Sequence, residues 1–480
     1  MSFLALCLSA CHKDVIELTP QSLLTTTDFY KTAKDIDGAV LGIYSRYQAR
    51  MPRDWAILEM PTDNMHTTSY FAIGGLPELN NLVFSPTNPL FATFWQSTYN
   101  GIFRANSVLG NVDTPGDYKT TQKQQFTGEA QFMRALFYFD LVRMFGGVPK
   151  VTSLLSIDAG KAMPRASEDE IYTLIIEDLK AAISNLSLQT GIAKGRASKG
   201  AAVALLAKVY VYRKDWANAK GYLDMMPAYG YQLLPDFADL WKLDKEDNNE
   251  LVFAIKYTGG TNGHTLSSDF IPYFGVAGIV SAGNENAFPS WSLHKKYETT
   301  DSRKAATITE FWKSPAGPPA APAIWYPYVN KYAVTHTQNS SGIDLPVIRY
   351  ADVVLLNAEV LYRLNQPDQA LIELNRIRTR AFKGTSRNYQ MSDISTLETF
   401  MDKLLLERQL EFAFENERWY DLVRTGRFLT ALAQVETSYN NATQTPQVAN
   451  LAPQAYQKYF PLPQTEIEKS YGVLVQNPGY

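Results

Sequence analysis

Apolar residues fall at helical spacing over much of this chain. Within 129–145, Phe132, Ala135, Leu136, Phe139 and Val142 recur at three- and four-residue steps and share one face, and Gly146-Gly147 supplies a stop. The next periodic run opens on Ser167-Glu-Asp-Glu170, a capping box, and carries Ile171, Leu174, Ile175, Leu179, Ala182, Ile183 and Leu186 on its apolar side. A third helix is expected over 197–212, with Ala201, Ala204, Leu205, Val209 and Tyr212 facing inward. A short turn, Lys214-Asp-Trp-Ala-Asn-Ala219, then leads into a fresh amphipathic run. The layout returns at 349–364 and 370–380, joined by Asn365-Gln-Pro367. Helix, short turn, helix, with alanines at the contact positions, is the pattern of tetratricopeptide-like pairs.

The pattern breaks between about 230 and 346. Gly, Pro, Asn and aromatic residues dominate there, including Gly259-Gly260 and the proline-rich run 314–322, and only 251–257 alternates like a strand. Long irregular segments carried on a regular scaffold are where binding surfaces usually sit. The fold expected is mainly α: a scaffold of paired helices, mainly 90–226 and 347–430, with an irregular, loop-rich insertion over 230–346 that carries a few short strands. Residues 28–480 are read as one domain.

Composition narrows the function. The 480 residues are 45% hydrophobic and 19% charged, a globular balance. Lys plus Arg total 45 against 48 acids, so charge offers nothing to nucleic acid or to an anionic membrane surface. Both cysteines, Cys7 and Cys11, lie in the first dozen residues, which excludes a disulfide framework or thiolate metal site in the body of the chain. The short apolar run ending Leu8-Ser9-Ala10-Cys11 resembles a bacterial lipobox. Residues 1–10 are therefore read as a signal peptide, Cys11 as the lipidated residue and 11–27 as the tether, with no later run long enough to span a bilayer.

Catalytic chemistry is poorly supported. His12, His66, His264, His294 and His336 are scattered, with no metal-binding spacing, and there is no G-x-S-x-G or G-x-G-x-x-G motif. The 195–200 segment has phosphate-loop glycines, but Ala201-Ala202 stands where Lys-Ser/Thr would be required. Glu407, Glu411 and Glu415 lie on one helix face, interleaved with Arg408 and Arg418. That pattern fits an internal ion network better than a glycosidase acid–base pair. No catalytic residue, metal or cofactor is expected, and the chain is read as a binding module rather than an enzyme.

Five stretches then carry a resemblance. They are 95–106 (Trp-Gln-Ser-Thr-Tyr-Asn-Gly-Ile-Phe-Arg-Ala-Asn), 130–149 (from Ala-Gln-Phe-Met-Arg to Gly-Gly-Val-Pro), 348–359 (Ile-Arg-Tyr-Ala-Asp to Asn-Ala-Glu), 407–426 (Glu-Arg-Gln-Leu-Glu-Phe to Arg-Thr-Gly) and the terminus, Tyr459-Phe-Pro-Leu-Pro463 with Gln476-Asn-Pro-Gly-Tyr480. In this order they resemble the SusD/RagB family. The resemblance implies four tetratricopeptide-like helix pairs supporting a more irregular half. It also implies a lipoprotein on the outer face of the outer membrane that captures an oligosaccharide, or in some relatives a peptide, and delivers it to a SusC-like TonB-dependent transporter.

Sugars stack their apolar faces on aromatic rings and hydrogen-bond through their hydroxyls, so rings beside Asp, Asn, Gln or Arg are the candidates. Two regions supply them. The first, expected to be a loop, holds Trp55, Asp63, Asn64, His66, Tyr70 and Phe71; the second holds Tyr273, Phe274, Trp291 and Trp312 near Asn284, Asn286 and Arg303. Trp325, Tyr326 and Tyr328 are assigned to a structural strand.

Overall fold

The computed structural model describes residues 29–480 apart from Ser69, Phe71, Asn441 and Gln444. The expected signal peptide, tether and lipidated Cys11 lie outside the described residues, as does Phe71.

The described chain is mainly helical. Helices α1 (Ala33–Arg50), α2 (Pro89–Asn111), α3 (Gln122–Phe145), α4 (Glu168–Asn185), α5 (Lys199–Tyr212), α6 (Trp216–Leu223), α7 (Tyr350–Arg363) and α8 (Pro367–Ala381) pack as pairs α1–α2, α3–α4, α5–α6 and α7–α8. Two more, α9 (Leu397–Phe412) and α10 (Arg418–Arg424), follow.

Local chemistry sets these boundaries. The Ser167 hydroxyl accepts from the Glu170 N–H while the Glu170 carboxylate accepts from the Ser167 N–H, so α4 begins where the capping box is written. Gly146 ends α3 at φ +72°, donating its N–H to the Val142 carbonyl. Helix α5 starts after Ser198, its N-cap, so the 195–200 glycine segment is a helix entrance. Almost every side of α5 is buried, and its alanines let neighbouring helices approach closely.

The irregular half adds four antiparallel ladders. They pair β1 (Met65–Thr67) with β3 (Ala287–Pro289), β2 (Leu251–Ile255) with β6 (Leu345–Arg349), β4 (Ile308–Trp312) with β5 (Ile324–Val329), and β7 (Gln434–Asn440) with β8 (Thr445–Asn450). The first binding region is thus not the loop expected: Trp55–Leu58 is a helical turn, and His66 lies in β1, a strand closed by a partner from the second region.

Buried ion pairs join the two halves. Arg349, where β6 meets α7, reaches Glu250 and Glu411 at 2.8 Å and Glu415 at 2.7 Å. Arg380 also binds Glu250 and Glu411, while Arg303 binds Asp301 at 2.7 Å and Glu407 at 3.0 Å. Arg303 is fully buried, so it belongs to this network and not to a ligand surface as its sequence neighbourhood suggested. Burial works to raise the Glu411 carboxyl, but Arg380, Arg349 and Arg303 together hold it below the ordinary range.

Candidate ligand-binding site

The two regions singled out in sequence meet in space. Tyr70 and Tyr273 stack with ring centroids 5.4 Å apart and planes 19° off parallel, and each ring is about half exposed. Phe274, also half exposed, meets Tyr273 edge to face at 5.3 Å. Three aromatic rings therefore form an open platform on the irregular half.

Glu285 holds this platform from below. Its Oε2 accepts the Tyr273 N–H at 2.6 Å, its Oε1 accepts the Tyr326 hydroxyl at 2.5 Å, and its backbone carbonyl accepts the Thr68 hydroxyl. One residue thus touches both the Tyr70 and the Tyr273 segments. Glu285 itself sits at φ +45°, a conformation that non-glycine residues rarely adopt. Burial raises its carboxyl pKa, opposed by the donors Tyr326 and Tyr273. The adjacent Asn286 accepts the Ala72 N–H at 2.8 Å and fixes the far side of the Tyr70 segment.

Asp269 is the second anchor. Its fully buried carboxylate accepts from Trp55 Nε1 at 3.4 Å, the Thr265 hydroxyl at 3.1 Å, Asn284 at 2.9 Å and Asn286 at 3.0 Å, and pairs with Arg53 at 3.2 Å. The turn carrying Tyr273 and Phe274 is equally fixed. Gly275 lies at φ +76°, its carbonyl accepts from Trp312 Nε1 at 2.8 Å, and a Cβ there would come within 2.3 Å of the Val280 carbonyl oxygen. Beside the Asp269 anchor, Arg53 pairs with its carboxylate, and Asn284 donates to Asn339 at 2.7 Å and accepts from Gln338 at 3.5 Å. These groups can donate to and accept from hydroxyls.

Several expected contacts lie inside instead. Trp55, Asn64, His66, Asn286 and Trp312 are buried, and of these Asn286 and Trp312 bond the platform segments directly. His66 is neutral at ordinary pH because burial pulls its pKa down to about 4. Burial works to raise the Asp63 carboxyl, yet Arg418 and Lys296 hold it below the carboxylate range. Asn64 donates to Glu59 and accepts from Gln409, so this pair ties β1 to α9 and α10. Trp291 is half-buried and belongs to a different surface, on which it meets Trp325. Glu285 and Asp269 were missed in sequence because single acids in an irregular segment carry no periodic signal.

Comparison with known proteins completes the description. Two family models match: one described as the SusD family over 244–480, the other as starch-binding associating with outer membrane over 18–211. The SusD-like protein P2 of Formosa agariphila is 26% identical over 516 residues, covering 100% of this chain and 99% of that protein. A solved laminarin-binding SusD-like protein superposes with a TM-score of 0.75 at 25% identity, covering 94% of this chain and 100% of that one. The surface glycan-binding protein A of Bacteroides thetaiotaomicron, solved with laminarihexaose, superposes with a TM-score of 0.77 at 22% identity, over 93% of this chain and 100% of its own.

Proposed function

This chain belongs to the SusD family, and from that membership we propose that it captures an oligosaccharide on the Tyr70–Tyr273–Phe274 platform and delivers it to a SusC-like TonB-dependent transporter. In this reading Cys11 carries the lipid that holds the protein on the outer face of the outer membrane. Among the described residues no helix is long and apolar enough to cross a membrane.

The observation that carries the proposal is the exposed stack of Tyr70 on Tyr273. Leaving half of three large rings in water opposes folding by the apolar transfer energy they forgo. The surrounding structure is nevertheless built to hold them there, with Glu285 accepting backbone strain and Gly275 supplying a left-handed turn that a side chain would disfavour. The apolar face of a pyranose covers such rings, and Arg53, Asn284, Gln338 and Asn339 stand ready for its hydroxyls.

The placement of the carboxylates supports capture without turnover. Glu285 and Asp269 lie beneath the rings, buried and fully engaged. Glu407 and Glu411 are fully buried and bound by arginines. A glycosidase needs two carboxyl groups facing the scissile bond.

The ligand class is tested by calorimetric titration of residues 12–480 with laminarihexaose, laminarin, starch, xylan and a peptide mixture. Binding of a glycan that Tyr273→Ala abolishes, with unchanged thermal unfolding, supports the reading. Binding of peptides alone would transfer the platform to a peptide ligand, and no binding by any probe would overturn it.

A further inference from the structure

We propose that the opposite face of the β4–β5 hairpin carries a second carbohydrate-stacking surface, formed by Phe311, Trp325 and Trp291, which holds a distal stretch of the same polysaccharide. The inference rests on the reading of the first platform as a glycan site.

Alternation along the hairpin creates the two faces. On one, Trp312 and Tyr326 pack 5.1 Å apart and reach toward the first platform, Trp312 donating to Gly275 and Tyr326 to Glu285. On the other, the register sets Phe311 opposite Trp325, and their rings meet edge to face at 5.4 Å. Trp325 in turn meets the edge of Trp291 at 5.3 Å, and Tyr439 of β7 closes the row 5.4 Å from Trp291. Phe311 is 54% exposed, while Trp291 and Trp325 are half-buried, so the row is only partly covered by its own chain.

The polar setting favours a sugar over an apolar partner. Trp291 stacks flat on His294, 4.8 Å away and 8° off parallel. The His294 ring is 8% exposed; its Nε2 pairs with Glu310 at 2.5 Å, and its Nδ1 has no hydrogen-bond partner. Lys295 Nζ sits 5.1 Å from the Trp291 ring centroid, and Glu436 fixes the Trp291 N–H at 2.6 Å. Rings interleaved with charged and hydrogen-bonding groups suit a polyhydroxylated chain, whereas an apolar protein partner would have to desolvate those charges. Because the hairpin that carries the second surface also braces the first through Trp312 and Tyr326, a long glycan that engages the first meets the second at high effective concentration.

The test compares polymer with oligomer. Wild type, Phe311→Ala, Phe311→Ala/Trp325→Ala and Tyr273→Ala are run in native gels containing laminarin and titrated with laminarihexaose, with thermal unfolding measured for each. The expected result is that the Phe311 variants lose retention in laminarin on the order of tenfold while keeping wild-type affinity for laminarihexaose, and that Tyr273→Ala loses both. Phe311→Ala removes a ring already more than half in solvent, so it separates binding from folding. Wild-type retention by folded Phe311 variants, with Tyr273→Ala inactive, would overturn the second surface alone. Failure of the wild type to bind either probe would overturn both proposals for β-glucan ligands.

Discussion

Glu285 Oε2 accepts the backbone N–H of Tyr273 at 2.6 Å, and the same carboxylate takes the Tyr326 hydroxyl, so the orientation of an exposed ring is fixed by a residue that is itself buried. Removing the acceptor leaves a backbone donor unsatisfied, which costs about 1–3 kcal/mol. Glu285→Gln presents one oxygen where two were used. Its affinity for the platform ligand should fall roughly tenfold, with the loss expressed as slower association as the Tyr273 turn samples other conformations. Stopped-flow and calorimetry on the variant would show this, and unchanged association would remove Glu285 from the support of the site.

At Tyr70 the ring and not the hydroxyl makes the contact with Tyr273. Tyr70→Phe should therefore bind glycan within about twofold of wild type, whereas Tyr70→Ala should lose the ~0.5–1.5 kcal/mol typical of an aromatic pair and more if the sugar also uses that face. Titration of the two variants side by side decides whether stacking or hydrogen bonding governs this position.

These residues also show what the sequence could reveal. Helix ends were legible because Ser167 with Glu170, and Gly146, act on neighbours in the chain. The family was legible because the stretches that carry the resemblance include residues such as Arg349 and Glu411, which build the buried network joining the two halves of this chain. Which aromatic faces outward was not legible. Trp55 and Tyr70 are both rings beside polar residues, yet Trp55 is turned inward by Asp269, 214 positions later, while Tyr70 is met in solvent by Tyr273. Such pairings are fixed by tertiary contacts that local pattern does not encode. Trp325 was assigned to a structural strand and does lie in β5, but its half-buried ring also forms the second aromatic row.

The Glu411 carboxylate supports folding rather than ligand contact. Arg349, Arg380 and Arg303 all converge on it in a region without solvent. Glu411→Ala would strand those guanidiniums, and breaking one side of a buried pair costs about 3–5 kcal/mol. A fall in the thermal midpoint is expected, with glycan affinity of the folded fraction unchanged. A stable variant with lost binding would place Glu411 in the ligand site instead.

Glu59 makes stability depend on pH in a predictable direction. Its carboxyl is fully buried, accepting from Asn64 and from the Asn416 N–H at 2.7 Å each, and burial pushes its pKa up to about 8 from an ordinary value of 4.5. The folded chain thus holds this proton more tightly than the unfolded chain. The resulting stabilisation is fully present below pH 4.5 and is lost as pH rises through 8. Between those limits the contribution declines by up to about 1.4 kcal/mol per pH unit. Glu59→Gln keeps an oxygen for only one of the two donors, so it is less stable at low pH, but it cannot ionise, so this part of the decline should vanish. Thermal midpoints measured from pH 5.5 to 8.5 should converge or cross, with wild type losing ground to the variant as pH rises. Parallel curves would mean that Glu59 ionises alike in the folded and unfolded chain.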